Sequence, residues 1–145
     1  MKERRYGKIV NIASIAARKG TLTSTPYGAS KAGVVNVTQA TALELAPFNI
    51  NVNAICPGLH EDRMVELMKG RAEYMNQPFD EEAFRKEFTE SNPKRVLAGR
   101  WCADEGYSEK SSGPNDAASL ALFLASDAGR MCTRRNFFMD AGIGA

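Results

Sequence analysis

The 145-residue chain has few of the side chains from which metal centres and disulfide frameworks are built. It contains one histidine, His60, and three cysteines, Cys56, Cys102 and Cys132, with no Cys-x-x-Cys spacing among them. An odd number of cysteines argues against a disulfide scaffold, and a single histidine argues against a zinc site. The composition therefore predicts no metal, and it fits a reducing, cytoplasmic compartment.

Long hydrophobic runs and an excess of one charge are also lacking. The net charge is +2, 25% of the residues are charged, and the basic clusters, such as KERR at 2–5, are short. No apolar run reaches the roughly 20 residues that a membrane-spanning helix needs. We therefore expect neither a nucleic-acid partner nor a membrane partner.

What the sequence does contain is an alternation of buried-strand and helix patterns. Nearly continuous apolar strands that alternate with helices indicate an α/β fold with a parallel sheet. In such sheets ligands bind beyond the C-terminal ends of the strands, where this chain has small or turn-forming residues. Strands are predicted at 8–14, 49–58 and 135–142, helices at 27–46, 61–75, 80–90 and 116–127 with Asp116 as the N-cap, and a loop at 102–115.

The stretch STPYGASKAG, residues 24–33, places Tyr27 one helical turn before Lys31. Ser14 ends the first predicted strand, so we expect all three side chains to point to the same edge of the sheet. A free phenol has a pKa near 10, and a neighbouring cation favours the phenolate. A serine hydroxyl can hold a substrate oxygen while a proton moves. The trio is therefore suited to proton transfer on an alcohol or a carbonyl, with a cofactor as the hydride partner.

Each of these residues also has a purely structural interpretation. Tyr27 would then be an exposed aromatic at a helix start, Lys31 a solvated lysine, Ser14 a strand-end hydroxyl and Pro57-Gly58 a plain turn. A Tyr-x-x-x-Lys spacing arises easily by chance in such a composition, so the spacing alone does not decide between the two interpretations.

Five segments in chain order resemble the short-chain dehydrogenase/reductase family: GKIVNIAS, YGASKAG, NVNAICPG, FLASDA and DAG, with Tyr27 thirteen residues after Ser14. The resemblance runs from about residue 7 to the C-terminus. It implies a Rossmann-type, doubly wound parallel sheet. It also implies the NAD- or NADP-dependent interconversion of a secondary alcohol and a ketone, with a polyol, a sugar or a 3-oxoacyl thioester all open as the substrate.

The resemblance also implies roles for individual residues. Carried over by position, Tyr27 would be the catalytic acid/base, Lys31 would stabilise the phenolate and bind the nicotinamide ribose, and Ser14 would orient the substrate carbonyl. Pro57 and Gly58 would lie along the nicotinamide, so the cofactor-binding set is Tyr27, Lys31, Pro57 and Gly58. Nothing in these motifs tells NAD from NADP.

The resemblance covers only the C-terminal half of the family pattern. No glycine-rich turn follows a strand, so no helix N-terminus is evident that would cradle a pyrophosphate. We therefore expect residues 1–145 to form a single partial domain of a truncated fold that is inactive alone. Two further departures are Asp62, where the family has a hydroxyl residue, and Thr133-Arg134, where it has Thr-Gly.

Two expectations concern the parts outside the trio. Residues 59–98 would form a substrate lid, because they follow the Pro-Gly edge and have the pattern of charged amphipathic helices. In the family the helix predicted at 27–46 packs against a second copy, so we expect a homo-oligomer. The alternative is a non-catalytic remnant of the family, or an interaction module that only dimerises. A hydrolase built on Ser14 and Lys31 is a weaker interpretation, because no oxyanion-hole turn is evident.

Overall fold

The computed structural model describes residues 1–20, 25–58, 61–91 and 114–140. It divides into two compact units, one formed by residues 1–58 with 114–140 and the other formed mainly by residues 59–113. The first unit contains β1 (Gly7–Ile12), α1 (Thr25–Leu45), β2 (Ile50–Pro57), α4 (Pro114–Ala125) and β3 (Asn136–Met139), and the second contains α2 (Glu61–Tyr74) and α3 (Glu81–Ser91).

The first unit is built on a three-stranded parallel sheet in the order β1-β2-β3. β1 pairs with β2 from Gly7 opposite Ile50 to Ile12 opposite Ile55. β2 continues past β1 and pairs with β3, ending with Pro57 opposite Met139. β2 is buried along almost its whole length, as expected for the central strand of a parallel sheet. The predicted α/β fold with a parallel sheet is confirmed.

Helices cover both faces of this sheet. On one face α1 packs on β1 and β2 through two clusters, one of Ala13, Ala54 and Cys56 with Val34 and Val35, and one of Ala42, Ile50 and Val52 with Ile9, Leu45 and Phe48. Because side chains alternate along a strand, Ile55 points to the other face. α4 contacts β1 and β2, and both Ile55 and Leu124 are fully buried.

Two asparagines of β2 attach the segment before β3 to the sheet. Asn51 donates from Nδ2 to the carbonyl oxygen of Arg130 at 3.1 Å. Asn53, which is buried, donates to the carbonyl of Cys132 at 2.8 Å and accepts from the backbone N–H of Arg135 at 3.1 Å. The polar residues of INVNAICP therefore satisfy backbone groups of residues 130–135 that would otherwise be unpaired.

The second unit is a pair of amphipathic helices with an aromatic contact. The ring centroid of Phe84 lies 5.7 Å from that of Phe79 and 5.9 Å from that of Phe88. Asp80 accepts from the backbone N–H of Ala83 at 2.9 Å, which caps the start of α3. The assignment of residues 59–98 to a substrate lid stays a prediction.

The strand and helix predictions agree with the structure to within a few residues, and one local prediction is wrong. Asp116 is not the N-cap of α4, because the helix already begins at Pro114 and Asp116 lies in its first turn. The loop expected at 102–115 lies outside the described residues except at 114–115, which belong to α4. Among the described residues, no helix is both long and apolar enough to cross a membrane.

The backbone at Arg134 has the conformation that favours glycine. Its φ is 59°, in the left-handed region, while its N–H donates to the carbonyl of Val52 at 2.7 Å. In this region a residue with a side chain is about 1–2 kcal/mol less favourable than glycine in the folded state. The larger conformational entropy of glycine in the unfolded chain offsets about 0.5–1 kcal/mol of that difference. We therefore expect Arg134→Gly to raise the free energy of unfolding by about 0.5–1 kcal/mol, measured by urea denaturation.

Arg130 provides the matched control. It is also an exposed arginine of this segment, but its φ is −56°, which any residue adopts. Arg130→Gly should lower the free energy of unfolding by about 0.5–1 kcal/mol. Equal effects of the two substitutions would contradict the assignment of strain to Arg134.

Candidate active site

Ser14 lies directly after β1 and starts a short 3-10 turn, Ile15–Ala17. Its Oγ accepts from the backbone N–H of Ala16 at 3.2 Å, and the residue is only 8% exposed. Because this bond uses the hydroxyl oxygen as an acceptor, the hydroxyl proton is still available for donation to another oxygen. The local structure therefore fixes Ser14 as a hydrogen-bond donor at the end of the strand.

The first turn of α1 lies close against the Ile15–Ala17 turn. A Cβ atom at Gly28 would be 3.2 Å from the carbonyl oxygen of Ala16, tighter than an ordinary van der Waals contact. A glycine at this position therefore lets α1 approach, and the residue before it is Tyr27. Gly28 is not among the site residues predicted from the sequence, although a glycine inside a helix is unfavourable enough to signal a packing reason.

Lys31 links the end of β1 to Tyr27. Its Nζ donates to the carbonyl oxygen of Ile12 at 3.3 Å and lies 5.7 Å from the centroid of the Tyr27 ring. Lys31 is half-buried, whereas Tyr27 is 50% exposed, and the Tyr27 hydroxyl bonds to none of the described residues. The i, i+4 spacing on α1 thus places an ammonium group beside a phenol that faces solvent.

The buried thiol of Cys56 lies near the backbone of Ser14. Cys56 is fully buried beside Ala13 and Ala54, and the backbone N–H of Ser14 lies near enough to influence the pKa of its thiol. Burial raises the pKa of the Cys56 thiol, and the Ser14 N–H offsets part of that rise. The thiol is therefore protonated at neutral pH, and Cys56 acts as a small packing residue. The sequence alone did not predict this packing role.

Pro57 and Gly58 close the corresponding end of β2. Pro57 lies opposite Met139, and the N–H of Gly58 donates to the Met139 carbonyl at 2.8 Å. A Cβ atom at Gly58 would lie 2.9 Å from the Cα of Asp140, so no larger residue fits without a backbone shift. This edge of the sheet is therefore held tightly between β2 and β3.

All five residues predicted as site residues lie at one edge of the sheet, within the first unit. Ser14 and Lys31 meet the end of β1, Tyr27 lies beside Lys31, and Pro57 and Gly58 end β2. Among the described residues, no three histidine, cysteine, aspartate or glutamate side chains are grouped to hold a metal ion. A phenol beside an ammonium, with a hydroxyl donor at the same edge, can transfer a proton to or from an alcohol or carbonyl oxygen.

Comparison with known proteins identifies similar chains. The family profile described as short chain dehydrogenase matches residues 1–71. An NAD-dependent glycerol dehydrogenase of Listeria innocua is 38% identical over 94% of this chain and 44% of its own length. A 5-keto-D-gluconate 5-reductase of Escherichia coli is 33% identical over 99% of this chain and 47% of its own length.

A solved structure with a similar sequence has a similar fold. The crystal structure of an actinorhodin polyketide ketoreductase variant with NADPH superposes with a TM-score of 0.73 and 30% identity. That match covers 98% of this chain and 49% of the ketoreductase. The chain therefore spans about half the length of the relatives that it matches, and its three strands have counterparts in a Rossmann-type fold.

Proposed function

We propose that the chain carries the proton-transfer edge of an NAD(P)-dependent oxidoreductase of the short chain dehydrogenase family, which interconverts a secondary alcohol and a ketone. The observation that carries this proposal is the position of Lys31. Its Nζ is 5.7 Å from the centroid of the Tyr27 ring and bonds to the end of β1, where Ser14 follows.

The proposed acid/base is Tyr27. In the direction of reduction its phenol gives a proton to the carbonyl oxygen of the ketone, and in the direction of oxidation it takes the proton from the alcohol. Its half-exposed position leaves the hydroxyl accessible to a substrate. The ammonium of Lys31, 5.7 Å from the centroid of the Tyr27 ring, can stabilise negative charge that develops during the proton transfer.

Ser14 is the proposed orienting residue. Since its oxygen accepts from Ala16, its own proton points away from that bond and is available to the substrate oxygen. A donor at this place holds the carbonyl and stabilises negative charge that develops on its oxygen during reduction. Ser14 is nearly buried, so its position depends on the fold and not on solvent.

We propose that Lys31, Pro57 and Gly58 bind the nicotinamide and its ribose. An ammonium group has three N–H donors, and among the described residues Lys31 uses one of them, on the carbonyl of Ile12. The other two are available for the hydroxyls of a ribose, and Pro57-Gly58 offers a flat, small surface beside it. A bound nicotinamide cofactor would supply the hydride.

We assign no residues of this chain to the binding of the cofactor pyrophosphate. The sequence contains no glycine-rich turn between a strand and a helix, the element that gives backbone N–H donors to a pyrophosphate. We therefore propose that the isolated 145-residue chain is inactive. The names of its relatives support a polyol, sugar or 3-oxoacyl substrate for the complete enzyme.

The role of Tyr27 is tested in a hybrid that joins this chain to the part of the glycerol dehydrogenase that it does not match. We expect Tyr27→Phe to lower kcat by about 10²–10⁴-fold, because it removes the proton donor while it keeps the ring. Lys31→Ala should also lower kcat, and Ser14→Ala should have a smaller effect, since water can replace the hydroxyl. The measurement is steady-state turnover followed by nicotinamide absorbance.

Tyr74→Phe is the matched control, since Tyr74 is 92% exposed on α2 and is not one of the residues proposed to transfer the proton or to orient the reacting oxygen. This variant should keep the turnover of the parent hybrid. A folded Tyr27→Phe hybrid that also keeps it would reject the acid/base role and leave Tyr27 as a surface aromatic.

The outer face of α1 supports an oligomer. Val37 is 59% exposed and Leu43 is 56% exposed, and the exposed Ala40 lies between them on the helix. The inner face of the same helix is apolar as well and packs on the sheet. A helix that is apolar on both faces is expected to bury its outer face as well. We propose that the outer face of α1 packs against the same face of a second copy of the chain.

Sedimentation of the 145-residue chain tests this assignment. We expect a dimer for the parent and a monomer for the double variant Val37→Glu, Leu43→Glu, because two charges would have to be buried in each subunit. Leu67→Glu, at a residue of α2 that is 53% exposed, should stay dimeric. A monomeric parent, or a double variant that remains a dimer, would exclude this face as the contact.

A further inference from the structure

Arg18 lies one short turn from the proposed orienting residue. It ends the 3-10 turn that Ser14 begins, and its backbone N–H donates to the carbonyl of Ile15 at 3.0 Å. The turn contacts both α1 and β2. The side chain of Arg18 is therefore presented at the edge of the sheet that carries Ser14, Tyr27 and Lys31.

An aromatic ring fixes where the guanidinium group lies. Its central carbon is 5.5 Å from the centroid of the Phe138 ring. Phe138 is opposite Cys56 in the sheet, and Cys56 packs in one cluster with Ala13, the residue before Ser14. Because a cation–π contact uses the face of the ring and none of the guanidinium N–H groups as a hydrogen-bond donor, Arg18 is positioned over Phe138 and still able to bind a ligand.

The donors of this guanidinium are unused within the described part of the chain. Arg18 is exposed, and it makes no ion pair and no side-chain hydrogen bond to any described residue. The contrast is with Arg85, whose guanidinium pairs with Glu81 at 2.9 Å, and with Arg5, which donates to the carbonyl of Pro47 at 2.6 Å. An arginine that is held by stacking but lacks a partner is suited to a planar oxyanion.

We propose that Arg18 determines substrate specificity by binding an oxyanion, a carboxylate or a phosphate, carried by the ketone or alcohol substrate. The proposal rests on the proposed function, because it places the reacting oxygen at Ser14 and Tyr27. Two N–H groups of the guanidinium bind two oxygens of the anion side by side, which fixes the substrate relative to the proton donor. Lys31 adds a second positive charge at this edge and increases the attraction.

The test compares ligands that differ only in charge. The 145-residue chain is titrated with 4-oxopentanoate and its methyl ester, and with dihydroxyacetone phosphate and dihydroxyacetone, and binding is followed by NMR shifts of the backbone N–H groups, which are present in the parent and in the variants. We expect the charged member of at least one pair to bind about tenfold more tightly than the neutral one, since a charge-assisted hydrogen bond is worth about 1.5–3 kcal/mol. The pair that shows the preference tells carboxylate from phosphate.

Arg18→Gln should reduce the preference for the charged ligand from about tenfold to within about twofold, because the variant cannot form charge-assisted hydrogen bonds. Arg130→Gln, which removes another exposed arginine of the same unit, should leave the preference unchanged. A parent chain that binds both members of both pairs alike would overturn the proposal. A preference that survives in Arg18→Gln would overturn it equally.

The hybrid enzyme repeats the comparison with the ratio of kcat/KM for the charged member to kcat/KM for the neutral member of each pair, and Arg18→Gln should lower this ratio about tenfold for the preferred pair. Failure of the two proposals can be told apart in these experiments. A Tyr27→Phe hybrid with normal turnover rejects the proton-transfer function, even where the anion preference remains. A hybrid that depends on Tyr27 but converts the charged and the neutral member of both pairs alike rejects Arg18 and leaves the function intact.

Discussion

The close approach of α1 to the sheet is the constraint on which the rest of the candidate site depends. It is possible because the contact is made of small side chains, Ala13, Ala54 and Cys56, and because Gly28 brings the first turn of the helix against the Ala16 carbonyl. A larger side chain at any of these positions would push the helix outward, since protein interiors have few voids to absorb extra volume. Tyr27 and Lys31 would then move away from the end of β1.

This packing turns a local spacing into a site with fixed geometry. The i, i+4 relation along α1 brings Lys31 near Tyr27, and the bond from Lys31 to the carbonyl of Ile12 connects this pair to the strand that precedes Ser14. Rigid elements hold reacting groups more accurately than loops do, and here a helix, two strand ends and a capped turn supply them. The unit formed by residues 1–58 and 114–140 is thus organised around one edge of its sheet.

The sequence was informative where short-range patterns decide the structure. The apolar runs of β1 and β2 and the long pattern of α1 predicted the elements, and the Tyr27–Lys31 spacing predicted their proximity, because these features depend on periodicity. Contacts between distant segments could not be predicted in this way. The stacking of Arg18 on Phe138 and the Cys56 thiol under Ser14 join residues far apart in the chain, and Asp116 was misplaced because the helix starts at a proline two residues earlier.

We propose that this chain carries the proton-transfer edge, and among the described residues no glycine-rich turn joins a strand to a helix and could hold the cofactor pyrophosphate. Calorimetric titration of the 145-residue chain with NADH and with NADPH tests it most directly, with the hybrid enzyme as the positive control. The chain should bind both cofactors only in the millimolar range or more weakly, while the hybrid should bind one of them in the micromolar range. Micromolar binding by the 145-residue chain itself would contradict the claim, because it would require a pyrophosphate site within these residues.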